Sequence, residues 1–136
     1  MQTVLVPCYS SDYDSADRRV DYDSQSAEGV FYGYKWQCVE FARRWLVLNK
    51  KVTFQSIPMA YHIFQLPNVI RLSDGQRLPM IGHLNGSTTH PMAGDVLIWS
   101  AGGNKIGRTG HVAIITAASS EWVRVAEQVL VHSINP

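Results

Sequence analysis

The chain has 136 residues, 46% hydrophobic and 17% charged, with a formal net charge of +1. That is enough polypeptide for one domain, residues 1–136, with an ordinary core fraction. No basic stripe points to nucleic acid, and no apolar run is long enough to suggest a membrane partner.

The segment Met1 to Pro7 lacks a basic region and a long apolar stretch, so no signal peptide is expected. Cys8 and Cys38 do not make a disulfide framework. A cytoplasmic protein with both thiols reduced is the expectation. Residues 9–30 are rich in Ser, Asp and Tyr and show neither helical nor strand periodicity. The first 30 or so residues therefore read as an irregular arm.

A helix is predicted over Gln37 to Asn49. Cys38, Phe41, Ala42, Trp45 and Leu46 recur at helical spacing and define one buried face. Glu40 and Arg44, four apart on the other side, can pair. Pro58 suits the first turn of a second helix ending near Gln65, with Ser56 as its cap. Residues 67–94 hold three prolines and four glycines and read as loops. Asp95 to Trp99 is a strand, followed by a glycine-rich loop over 100–110. His111 to Thr116, Glu121 to Ala126 and Val129 to His132 are short β-branched strands. One early helix packed on a late antiparallel sheet is an α+β arrangement.

Three residues in this pattern carry chemistry. Cys38 stands at a helix start, where exposed N–H groups lower a thiol's pKa. His111 opens a strand directly after Gly110, and Glu127 lies near the end of a later one. An imidazole can take the thiol proton, and a carboxylate can orient the imidazole. If Ala118-Ser119-Ser120 is a three-residue hairpin loop, His111 falls opposite Glu127, with Cβ atoms roughly 4.5–5.5 Å apart. A slip of one residue would send them to opposite faces. The backbone N–H of Cys38 and the Gln37 amide could hold an oxyanion. Taken singly, each residue has an ordinary reading: Cys38 as a small core hydrophobe, His111 as a strand-end histidine, Glu127 as a partner of Arg124. His62, His83, His90 and His132 lack a comparable setting. No Cys/His spacing suggests a metal site. The glycine loop opens no helix, so neither a phosphate cradle nor a nucleotide cofactor is expected.

The blocks Trp36-Gln37-Cys38-Val39-Glu40-Phe41-Ala42-Arg43-Arg44, Pro91-Met92-Ala93-Gly94-Asp95-Val96-Leu97-Ile98-Trp99 and Thr109-Gly110-His111-Val112-Ala113-Ile114 resemble the CHAP family of cysteine- and histidine-dependent amidohydrolases and peptidases. Val6-Pro7-Cys8-Tyr9-Ser10-Ser11-Asp12-Tyr13 and Ala126-Glu127-Gln128 narrow the likeness to the amidase domains of glutathionylspermidine and trypanothione synthetases. The resemblance implies a papain-like fold and hydrolysis of the amide joining the glutathione glycine to spermidine. It matches Cys38 to the nucleophile, His111 to the base and Glu127 to the orienting acid. It gives Arg43 a substrate carboxylate to bind; the alternative is a solvated helix-face arginine. Val129 stands where the bacterial relatives carry asparagine. No cofactor is implied. The implied partners are a glutathione–polyamine conjugate and a synthetase domain absent from this chain. Two other readings stand beside this one: a peptidoglycan amidase or endopeptidase of the same family, and a catalytically dead binding or regulatory domain.

Overall fold

The computed structural model describes residues 3–6, 23–25, 29–34, 37–102 and 109–128. The chain runs β1 (Thr3–Val6), β2 (Asp23–Gln25), β3 (Phe31–Tyr34), α1 (Cys38–Lys50), β4 (Val52–Thr53), a 3₁₀ helix (Ala60–Gln65), β5 (Asn68–Arg71), β6 (Arg77–Pro79), β7 (Val96–Trp99), β8 (His111–Ala118) and β9 (Val123–Gln128). This is a mixed α and β architecture. Among the described residues the main sheet has the order β1-β9-β8-β7, beside a two-stranded and a three-stranded sheet.

The helix begins and stops within a residue of where its periodicity places it. Gln37 is extended and leaves the helix to start at Cys38, while Lys51 ends it in the left-handed region at φ 56°, its N–H donating to Leu46 O. The buried stripe is wider than the spacing predicts. Glu40, Ala42, Arg43, Leu46 and Val47 are buried, and Cys38, Phe41 and Trp45 are only partly covered. The cause is that α1 is packed on two sides. The main sheet takes one flank, and β3 with residues 54–55 takes the flank that carries Arg43. Glu40 and Arg44 pair as expected at 3.2 Å, although Glu40 is buried rather than on a solvated face.

Alternation along β8 divides the core. Val112 and Ile114 face α1 and the 3₁₀ helix, where they join Ala42, Leu46, Phe54, Ala60, Ile63 and Leu66. Ala113 and Ile115 face the other way, with Val125, Leu97 and Trp99. Each fully buried Leu or Ile contributes on the order of 1.5–3 kcal/mol, so these two layers anchor β8 more firmly than any polar contact could.

Several expectations are corrected. The arm is not irregular throughout: β1 pairs in parallel with β9, and β2 pairs with β3. The main sheet is therefore not purely antiparallel. The second helix is a short 3₁₀ turn beginning after Met59, with neither Pro58 in its first turn nor Ser56 as its cap. Part of the 67–94 segment is a hairpin, β5 with β6, whose turn is tied by Arg71 and Asp74 at 2.8 Å. Residues 119–122 form a four-residue loop, with Ser119 N–H donating to Trp122 O, and a bulge interrupts the ladder between Ile115 and Ala117. The pairing Ile114↔Ala126 therefore replaces the expected register by a shift of two. Continued by one step, it sets Ala113 across from Glu127. An even shift preserves the face, so His111 and Glu127 still point to the same side. The predicted strand Val129 to His132 and most of the glycine loop lie outside the described residues.

Candidate active site

His111 occupies its place because of Gly110. That glycine has φ +67°, and a Cβ there would sit 2.4 Å from Trp99 O and 3.1 Å from Tyr61 Cβ. Tyr61 N–H also donates to Thr109 O at 3.2 Å. The chain is thus clamped between β7 and the 3₁₀ helix immediately before the histidine, and only glycine fits.

Across the strands, His111 Nε2 meets Glu127 Oε2 at 2.7 Å, with the two side chains 20% and 18% exposed. A carboxylate only accepts, so Nε2 carries a proton toward Glu127, and whenever the ring has a lone pair it lies at Nδ1. The diagonal offset is bridged because two long side chains can span the roughly 7–8 Å between such positions. Behind the imidazole lies the Trp99 ring, with centroids 5.2 Å apart and planes tilted by 42°. From sequence, Trp99 ends a strand and closes one of the blocks that carry the family resemblance, with no role at the site. Its place directly before the glycine loop was the available signal.

Cys38 is the first residue of α1 and packs, partly buried, against the core cluster that includes Val112 and Ile114. Burial pushes its thiol up from the ordinary value, and hydrogen bonding from the backbone N–H groups of Val112, Val39 and Cys38 itself offsets part of that; the nearby Glu127 charge raises it slightly further. The helix-start effect is therefore real but outweighed, and the expected low-pKa thiolate is corrected to a resting thiol. Val112 is the residue after His111, so the sulfur lies beside the strand that carries the ring. No hydrogen bond joins the thiol to the imidazole in this conformation. The structure thus brings His111 and Glu127 together and sets Cys38 nearby, with its sulfur at the backbone N–H of Val112 on the same strand and within reach of the Glu127 charge.

Gln37 is half-buried at the helix start, and its side chain makes no capping bond. Arg43 is in a different environment from either expectation. It is buried, donating from one terminal nitrogen to Tyr32 O at 2.7 Å and from the other to Gln55 O at 3.2 Å, with its guanidinium 4.3 Å from the Phe54 ring centroid. Desolvation lowers its pKa to about 10. It braces β3 and residue 55 against α1, and a substrate carboxylate would have to displace those carbonyls. Two open grooves, one lined by His90, Ser119 and Trp122 and the other by Trp45, Lys50 and Gly94, do not include the site residues. Among the described residues no cluster of His, Cys, Asp and Glu is placed to hold a metal ion, and no helix is long and apolar enough to cross a membrane.

The family model for the CHAP domain matches residues 29–129, and the chain belongs to that family. It is also similar to the bifunctional glutathionylspermidine synthetase/amidase of Escherichia coli (strain K12), 43% identical over 96% of this chain and 22% of that protein. Trypanothione synthetase of Crithidia fasciculata is 34% identical over 90% of this chain and 18% of its own length. Glutathionylspermidine synthase of the same organism is 38% identical over 71% of this chain and 13% of its length. The chain thus spans at most about a fifth of each of these relatives.

Proposed function

We propose that this domain is a cysteine amidohydrolase that cleaves the amide between the glutathione glycine and spermidine, through a thioester on Cys38. The observation that carries the reading is the 2.7 Å contact of His111 Nε2 with Glu127, on the strand beside which the Cys38 thiol lies. The names of the relatives support the choice of amide and of conjugate. We read the fold as papain-like, residues 1–136 as one domain, and the compartment as cytoplasmic.

The cycle follows from the protonation states. Cys38 rests as a thiol, so its proton passes to His111 Nδ1 as the sulfur attacks the glycine carbonyl. The developing oxyanion takes hydrogen bonds from the Cys38 N–H and the Gln37 side-chain amide, donors worth about 2.7–4 kcal/mol each in comparable sites. His111, now an imidazolium held by Glu127, protonates the departing amine, and the amine leaves. A water then gives a proton to His111 and attacks the thioester; the C–S bond breaks, the Cys38 sulfur takes that proton back from His111 as it departs, and glutathione is released. The resting separation of thiol and ring closes when substrate orders the site, as catalytic hydrogen bonds commonly tighten on binding. Arg43 serves as a brace behind the helix start.

A second reading, a domain without catalysis, draws on that same separation and on the raised pKa of the half-buried thiol. One assay decides between them. Glutathionylspermidine is incubated with the wild-type protein and with Cys38→Ala, and purified cell wall is tested in parallel. Release of spermidine by the wild type alone supports the proposal. Turnover of cell wall only would move the substrate assignment to peptidoglycan, and no turnover of either favours the non-catalytic reading.

A further inference from the structure

We propose that Trp99 is a positioning residue for His111: its indole backs the imidazole and limits its turning about the hydrogen bond to Glu127. This rests on reading His111 as the base and adds the residue that holds it in place. Trp99 and His111 are direct register partners on β7 and β8, and their rings are in contact at 5.2 Å between centroids. The carboxylate fixes one ring nitrogen but leaves the imidazole free to turn about that bond. A tilted aromatic in contact with the ring restricts this freedom. Trp99 can do so because it is itself held, packed against the Ala113, Ile115 and Val125 layer. Its main chain acts on the same point, since Trp99 O occupies the space a Cβ at residue 110 would need. With about a fifth of each partner's side chain exposed, the His111–Glu127 bond competes with water, and a ring held in place breaks that bond less often.

The test is solution NMR on the full chain without substrate, beside steady-state kinetics. In the wild type the His111 Nε2–H proton should appear as a distinct downfield resonance with cross-relaxation to the Trp99 indole protons. Trp99→Leu should erase that resonance by faster exchange and lower kcat about tenfold, with KM unchanged. Trp99→Phe should keep the resonance and most of kcat. A wild-type Nε2–H without indole contact, or a folded Trp99→Leu that retains the resonance, overturns the proposal. Should Trp99→Leu fail to fold, the wild-type spectrum decides alone. Because the resonance is read without substrate, absence of amidase activity would refute the proposed function and leave this result standing.

Discussion

Glu127 holds the ring of His111 from a strand position offset by two residues, closing a diagonal across β8 and β9 to a 2.7 Å hydrogen bond. That contact fixes the tautomer, and the tautomer decides which nitrogen faces the chemistry. Glu127→Gln keeps the size of the side chain but removes the charge that stabilises an imidazolium. The expected result is a fall in kcat of about 10²–10⁴-fold with little change in KM. A variant within threefold of wild type would remove Glu127 from the mechanism.

The half-buried Cys38 thiol gives stability a pH dependence with a definite sign. Below the ordinary thiol value of 9.0 both folded and unfolded chains keep the proton, so Cys38 contributes nothing. Above it the unfolded chain releases the proton while the folded one retains it. The native state then binds more protons, and stability falls as pH rises. Denaturant titrations of wild type and Cys38→Ala should differ by a constant amount below pH 9 and diverge above it, with the wild type losing ground. Alkylation of Cys38 by iodoacetamide at neutral pH, followed by peptide mass spectrometry, should be slower than for a free cysteine. A faster reaction would place the thiolate in the resting state.

Gly110 is expected to tolerate no side chain. Alanine there meets both a positive φ and the carbonyl of Trp99, so Gly110→Ala should cost about 2 kcal/mol or more by urea denaturation. A variant as stable as wild type would mean that the clamp before His111 is not rigid.

Arg43 offers a clean separation of roles. Arg43→Met leaves the carbonyls of Tyr32 and Gln55 without their donors, and about 2–4 kcal/mol of stability should be lost. Lysine should not restore it, because one ammonium cannot reproduce the two-pronged guanidinium contact. If Arg43→Met keeps its stability and instead raises KM, the arginine binds substrate.

What the sequence disclosed follows from which interactions are local. The helix from Cys38 was legible because spacing and a turn-compatible end agree, and β7 to β9 were legible as β-branched runs. His111 and Glu127 were brought to one face for a reason that survived a wrong loop length, since an error of two residues preserves side-chain parity. The parallel pairing of β1 with β9 was not legible, because it joins chain segments more than a hundred residues apart. Arg43 was misjudged for the same reason: its burial is imposed by β3 and residue 55, which no helical pattern reveals. The thiol was misjudged because helix-start N–H groups can be read from position, whereas the burial that outweighs them comes from packing.

The account turns on whether Cys38 carries the acyl group, and rapid quenching followed by mass spectrometry measures this directly. Wild-type protein mixed with glutathionylspermidine and stopped within the first turnover should show a glutathionyl thioester on the Cys38 peptide, stable to reductant and cleaved by hydroxylamine. Hydrolysis proceeding with Cys38 unmodified, or an adduct that only a reductant removes, would contradict it.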